Sequence, residues 1–121
     1  MRWGDIVRVD LNPVVGSDAN KVRPAVVVSN DGANRAVERF GRGVVTVAPI
    51  TSNVTKVYPF QVLLTLDLTE TGLTSESKVQ VEQIRAVDAS RIGQRLGRLP
   101  TSLHEPLREA LVIHLGLRSV S

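Results

Sequence analysis

Cysteine is absent from the 121 residues. That removes disulfide frameworks, thiolate metal sites and a cysteine nucleophile together. Histidine is nearly absent: His104 and His114 both fall in the same C-terminal segment, where a packed or half-exposed helix position is the ordinary reading. No Gly-rich phosphate loop leads into a helix, and neither His-x-x-x-His, Cys-x-x-Cys nor Gly-x-Ser-x-Gly occurs, so metal catalysis and serine hydrolysis have no local support. Aromatic residues number four, Trp3, Phe40, Tyr58 and Phe60, too few for an extended stacking platform. Phe60 alternates with Val62 and Leu64 and is expected in the core. Long apolar runs are also missing. The opening "MRWGDIVRVD" is interrupted by Asp5, Arg8 and Asp10, and nothing later approaches the ~20 apolar residues that cross a bilayer. The expectation is a soluble, unexported protein of the reducing cytoplasm, with no membrane partner.

What is present begins with charge. Fifteen basic residues stand against twelve acidic ones, a net +3, and twelve of the fifteen are arginine. Arginine's planar fork suits phosphate. An excess this small permits an RNA partner without demanding one, and most of these arginines read equally well as solvated surface. The length predicts one domain over residues 1–121, large enough to remove roughly two-thirds of its unfolded surface from water.

Hydrophobic periodicity predicts mainly short strands. Val7, Val9 and Leu11 alternate with Ile6, Arg8 and Asp10, followed by a long loop in "NPVVGSDAN". Pro24 to Ser29 is a nearly continuous apolar run that opens on proline, where a strand tolerates the missing N–H. Asp31 to Arg42 is polar and ends in glycines, which predicts a loop holding at most a short helical turn. Val44–Ile50, Phe60–Leu66 and Lys78–Arg85 are further strands, with a shorter one near Arg95–Leu99. Only the C-terminal segment changes period: Leu103, Leu107, Leu111 and Leu115 recur every four residues with Ala110 between them, after a Ser102/Glu105 capping-box spacing. Pro106 sits deep in that first turn, so the helix start is open by a residue or two. The fold class is therefore mainly β (β-rich α+β): a small, bent, mostly antiparallel sheet or barrel of five to seven strands, with a C-terminal helix covering an open side.

Two strand ends carry chemistry. Arg23 precedes Pro24, which holds its backbone extended and aims its side chain from the sheet. Thr51 and Ser52 close the run Val44–Ile50, where hydroxyls can donate to a phosphate oxygen or simply terminate the strand through a side-chain turn. On the residues alone both readings stand.

The segments "RWGDIVRVDLNPVVGSDANKVRPAVVVSND", "VVTVAPITSNVTKVYPFQVLL" and "KVQVEQIRAVDASRIGQRLGRL" together resemble the MazF/PemK family of bacterial toxin–antitoxin ribonucleases. The likeness runs from Arg2 through the terminal helix, with the Arg-Pro strand start, the Thr-Ser strand end and Glu-Gln-Ile-Arg in the family's order. It implies an SH3-like barrel of the CcdB/PemK kind that pairs into a homodimer. It also implies cleavage of single-stranded RNA at short sequences without metal or other cofactor, by attack of the ribose 2′-hydroxyl to leave a 2′,3′-cyclic phosphate and a 5′-hydroxyl. An antitoxin silences such toxins. In the family the arginine before the proline and the threonine after the strand are the catalytic pair, which places those roles on Arg23 and Thr51. The loop Asn12–Val22 would shape the RNA groove, with Glu82–Arg85 beside it.

RNA supplies its own nucleophile, so the protein has to align the backbone, stabilise charge on phosphorus and move protons. A guanidinium stays protonated in proteins, and half-neutralising one at pH 7 costs roughly 7 kcal/mol. Arg23 is therefore expected to stabilise charge before it abstracts a proton. Recognition is expected from Ser52, Asn20, Lys21, Lys56, Lys78, Gln83 and Arg85, and the antitoxin is expected to be an acidic, partly disordered segment that occludes the groove. Two alternatives remain: a CcdB-like barrel that poisons a protein target such as gyrase, and a non-catalytic interaction barrel.

Overall fold

The computed structural model describes residues 1–11 and 22–118. Among these residues, seven strands and two α-helices follow in the order β1 (Asp5–Asp10), β2 (Val22–Val27), α1 (Asp31–Phe40), β3 (Val44–Thr51), β4 (Gln61–Leu64), β5 (Ser77–Gln80), β6 (Arg85–Asp88), β7 (Ile92–Arg98) and α2 (His104–Leu115). All pairings are antiparallel, along an open path β4-β5-β3-β2-β1-β7, with β6 added to β3.

The central strands are apolar on successive residues because both sheet faces are covered. On one face Ile6, Val26, Ala48, Ile50 and Val79 form a fully buried cluster beneath Leu107 and Ala110 of α2. On the other, Val7, Val9, Ala25, Val27, Val45, Val47 and Val87 form a second cluster, flanked by Val37 of α1 and by Met1. Strand alternation assigns alternate residues of β1, β2 and β3 to the two clusters, so a one-residue slip would exchange both cores.

The structure corrects four local expectations. Residues 31–40 form a ten-residue helix, not a loop with a turn. Its ends are capped locally: the Asn30 side chain accepts from the Ala33 N–H at 2.8 Å, and Gly41 closes the helix at φ 67°. The expected strand Lys78–Arg85 is two strands separated by a 3₁₀ turn at Val81–Gln83. Ile50 faces Val79 while Val47 faces Arg85, so three residues of β3 span six of its partner and the turn absorbs the excess. The Ser102/Glu105 capping box does not form: a 3₁₀ turn at Thr101–Leu103 leads into α2 without a side-chain cap. Pro106, the third residue of α2, needs no helical N–H partner there. Phe60 precedes β4 and is only half-buried, outside both clusters.

The Asp31 carboxylate ties α1 to the N-terminal segment by accepting from the Trp3 N–H at 2.7 Å. That bond lowers its pKa below the ordinary aspartate value of 3.8. A depressed folded-state value contributes stability above pH 3.8 that is lost as pH falls through the folded value. The stability gap between wild type and Asp31→Asn, measured by urea unfolding, should therefore be present at pH 6 and shrink below pH 4. A gap that held constant to pH 2.5 would reject the assignment.

Candidate active site at the ends of β2 and β3

Val27 faces Val47 and Ala25 faces Pro49. Two residues further along each strand stand Arg23 and Thr51. The Val28 N–H donates to the Thr46 carbonyl, and on the same register the next donors toward β3 belong to residues 26 and 24. Pro24 has no N–H to give, so the β2–β3 pairing ends here and the sheet opens into a cleft. Arg23 and Thr51 both line a cavity of about 230 Å³, together with Val22, Pro24, Ile50, Ser52, Leu73, Thr74, Ser75 and Ser77. The two residues singled out from opposite ends of the sequence pattern therefore share one concave site.

The row continues across the sheet. Thr51 faces Lys78 on β5, and Lys78 faces Leu63 on β4. By alternation Arg23, Thr51 and Lys78 belong to the sheet face of Ala25, Val27 and Val47, so the polar row begins where the second apolar cluster ends. Arg85 lies on this face too, opposite Val47, and its Nη1 donates to the Leu11 carbonyl at 3.3 Å. It thereby braces the end of β1.

Thr51 is half-buried, and its Oγ1 accepts from the Asn53 N–H at 3.2 Å. A hydroxyl that accepts in this way keeps its own hydrogen for donation. Asn53 in turn accepts from the Thr55 N–H at 3.2 Å, so two successive side-chain turns shape the loop after β3. Ser52 is exposed on the cavity rim. Lys78 is only 7% exposed, and its ammonium donates to the Lys56 carbonyl; Lys56 and Gln83 are exposed. Glu82 accepts from Gln61 Nε2 at 2.6 and 3.1 Å. Asn20, Lys21 and the other residues of the segment 12–21 lie outside the described residues; Val22 opens β2.

Sequence reading missed the opposite wall, Leu73 to Ser77. Its signal was the hydroxyl-rich "TGLTSES" between two strands. The wall is set by a close backbone clasp: a Cβ on Gly72 would lie 2.0 Å from the Leu96 carbonyl oxygen, and one on Gly97 would lie 2.3 Å from that of Glu70. Thr71 reinforces it, donating to the Leu68 carbonyl at 3.0 Å and accepting from the Leu73 N–H at 3.2 Å. Among the described residues no cluster of three or more His, Asp or Glu is placed to hold a metal ion. A larger cavity, about 480 Å³, lies at the other end of β1 beside Arg2, Trp3, Asp5, Arg98, His104 and Arg108. Its cations face carboxylates, with Arg98 Nε 3.9 Å from Asp5 and Arg108 Nη1 2.9 Å from Glu105.

No helix among the described residues is long and apolar enough to cross a membrane. Residues 2–115 match the family described as PemK-like, MazF-like toxin of type II toxin–antitoxin system. The chain is 54% identical over 119 residues to endoribonuclease MazF9 of Mycobacterium tuberculosis, covering 98% of this chain and 99% of that one. Among solved structures, MazF of Deinococcus radiodurans superposes with a TM-score of 0.73 at 27% identity over 96% of each chain. An endoribonuclease in complex with its cognate antitoxin from a mycobacterial species superposes with a TM-score of 0.76 at 22% identity over 99% of each chain. With the family match spanning nearly the whole length, the chain belongs to the PemK-like, MazF-like toxins of type II toxin–antitoxin systems.

Proposed function

We propose that the chain is the toxin of a type II pair and acts as an endoribonuclease on single-stranded RNA. The observation that carries the reading is the meeting of Arg23 and Thr51 in one cavity at the fray of β2 and β3. A scissile phosphate seated there faces the Arg23 guanidinium, which stabilises the extra negative charge of the pentavalent phosphorus. The Thr51 hydroxyl donates to a non-bridging oxygen, with Ser52 beside it. The neighbouring 2′-hydroxyl attacks in line, the P–O5′ bond breaks, and the products are a 2′,3′-cyclic phosphate and a 5′-hydroxyl. The proton leaves the 2′-hydroxyl to water and another reaches the departing O5′. No metal or other cofactor enters this scheme. Lys56, Gln83 and Arg85, with Asn20 and Lys21 from the segment before β2, supply contacts to the strand, and Lys78 holds the Lys56 backbone.

The working form is a homodimer in the cytoplasm. Its antitoxin is an acidic segment that orders on binding and covers the groove, consistent with the arginines around the site and with the mycobacterial relative's complex with its cognate antitoxin. The test is incubation of the purified protein with a long single-stranded RNA in excess EDTA, followed by mapping of cut positions and end groups. Discrete cuts bearing cyclic phosphate are expected. A folded protein that leaves the RNA intact would turn the reading toward a toxin that binds a protein target.

A further inference from the structure

Beyond the cavity, the row Arg23–Thr51–Lys78 leads to a pair of rings. Tyr58 and Phe60 lie 5.3 Å apart, centroid to centroid, with planes 5° from parallel. That spacing is an offset stack, in which each ring extends the other's apolar surface. Tyr58 is 40% exposed and follows the exposed Val57 in the chain. Two ammonium groups attend it, Lys56 Nζ at 4.9 Å and Lys78 Nζ at 5.9 Å from the ring centroid.

The segment that presents these rings is braced from beneath. Gln61, itself buried, accepts from the Tyr58 N–H at 3.0 Å through its side chain, and its own N–H donates to the Tyr58 carbonyl at 2.9 Å. Its amide nitrogen is held by Glu82 at 2.6 Å. The buried Lys78 pins the Lys56 carbonyl. A polar network is thus spent on fixing an aromatic surface that water touches, whereas core packing would have buried the rings without it. The ammonium of Lys56 lies over the Tyr58 ring on a long, exposed side chain that can leave it, so a base can take the ring face while the cation moves to its flanking phosphate.

Resting on the ribonuclease reading, we propose that Tyr58, backed by Phe60, is a base-stacking subsite: one unpaired base of the RNA beside the scissile phosphate displaces Lys56 from over the ring, and Lys56 turns to that nucleotide's phosphate. Lys78 is a positioning residue, acting through the Lys56 backbone. The subsite tolerates every base, because each has a π-face, and it favours purines by overlap area.

The contact forms in the ground state and persists in the transition state, so its loss raises KM and leaves kcat unchanged. Stacking strengths measured elsewhere translate into a rise between about fivefold and about 150-fold for Tyr58→Leu, with Tyr58→Phe close to wild type. The decisive probe is a mapped RNA substrate, 2′-O-methylated at the cut nucleotide and carrying 2-aminopurine at one position at a time. Wild type should quench its fluorescence at one position near the cut, Tyr58→Phe should quench it too, and Tyr58→Leu should not. Unchanged KM in Tyr58→Leu, or quenching that survives in it, overturns the subsite while wild-type cleavage leaves the ribonuclease reading intact. If wild type cuts no RNA, both fall. If Tyr58→Leu weakens antitoxin binding but not RNA turnover, the rings belong to the protein partner and the subsite is rejected.

Discussion

Arg23→Ala should lower the rate of RNA cleavage by about 10²- to 10³-fold, the usual loss when one preorganised donor to a developing charge is removed, with the thermal midpoint of unfolding nearly unchanged. The expectation follows from position. Arg23 is half-buried at the frayed end of β2 and outside both apolar clusters, so the cores do not depend on its volume. Arg23→Lys should recover part of the loss, because charge is restored but the planar fork that spans two phosphate oxygens is not. Single-turnover cleavage alongside a thermal melt separates these effects. A variant that keeps its rate would remove the guanidinium from the chemistry, and one that loses rate only by unfolding would make Arg23 structural.

The largest structural effect is expected at Gly72. Gly72→Ala forces an L-residue into φ +70° and drives its Cβ to 2.0 Å from the Leu96 carbonyl oxygen. Left-handed strain and overpacking against backbone together should cost about 3 kcal/mol, lowering the melting midpoint by roughly 10 °C. Gly41 provides the control. It shares the left-handed conformation at φ +67°, yet a Cβ there meets nothing within 4 Å, so Gly41→Ala should cost only about 1 kcal/mol. Because Gly72 fixes the start of the wall Leu73–Ser77, its variant should also lose RNA affinity at temperatures where it is still folded. Equal destabilisation by the two substitutions would show that the clasp with β7 does not shape the site.

Most strands were legible because their apolar residues were buried in alternation on two faces. The run Pro24–Val28 looked continuous for the reason the structure gives: Val26 feeds one cluster while Ala25 and Val27 feed the other. Helix α1 was hidden because Asn34 is its only fully buried residue; caps define it more than an apolar stripe does. The break at Val81–Gln83 left only a small mark, the successive polar residues Glu82 and Gln83 that interrupt the alternation of Lys78–Glu82. It became visible only with β3 beside it. Phe60 kept strand period with Val62 and Leu64, but β4 begins one residue later, which left the ring free to stack on Tyr58.

Arg23 and Thr51 were each nameable from local signals, a residue aimed by a following proline and a hydroxyl closing a strand. Their meeting depended on the register of β2 against β3, which no local signal encodes. The same is true of Lys78, whose place opposite Thr51 made it part of the row and whose burial turned its ammonium toward the chain's own backbone.

The central claim is that Arg23 and Thr51 act on one phosphate. A double-mutant cycle tests it most directly: single-turnover cleavage of one mapped RNA, in excess EDTA, by wild type, Arg23→Ala, Thr51→Val and the double variant. The predicted result is a large loss in each single variant and a double-variant loss smaller than their product, because the second substitution removes help from a phosphate already poorly held. Wild-type rates in either single variant, or losses that simply multiply, would contradict it.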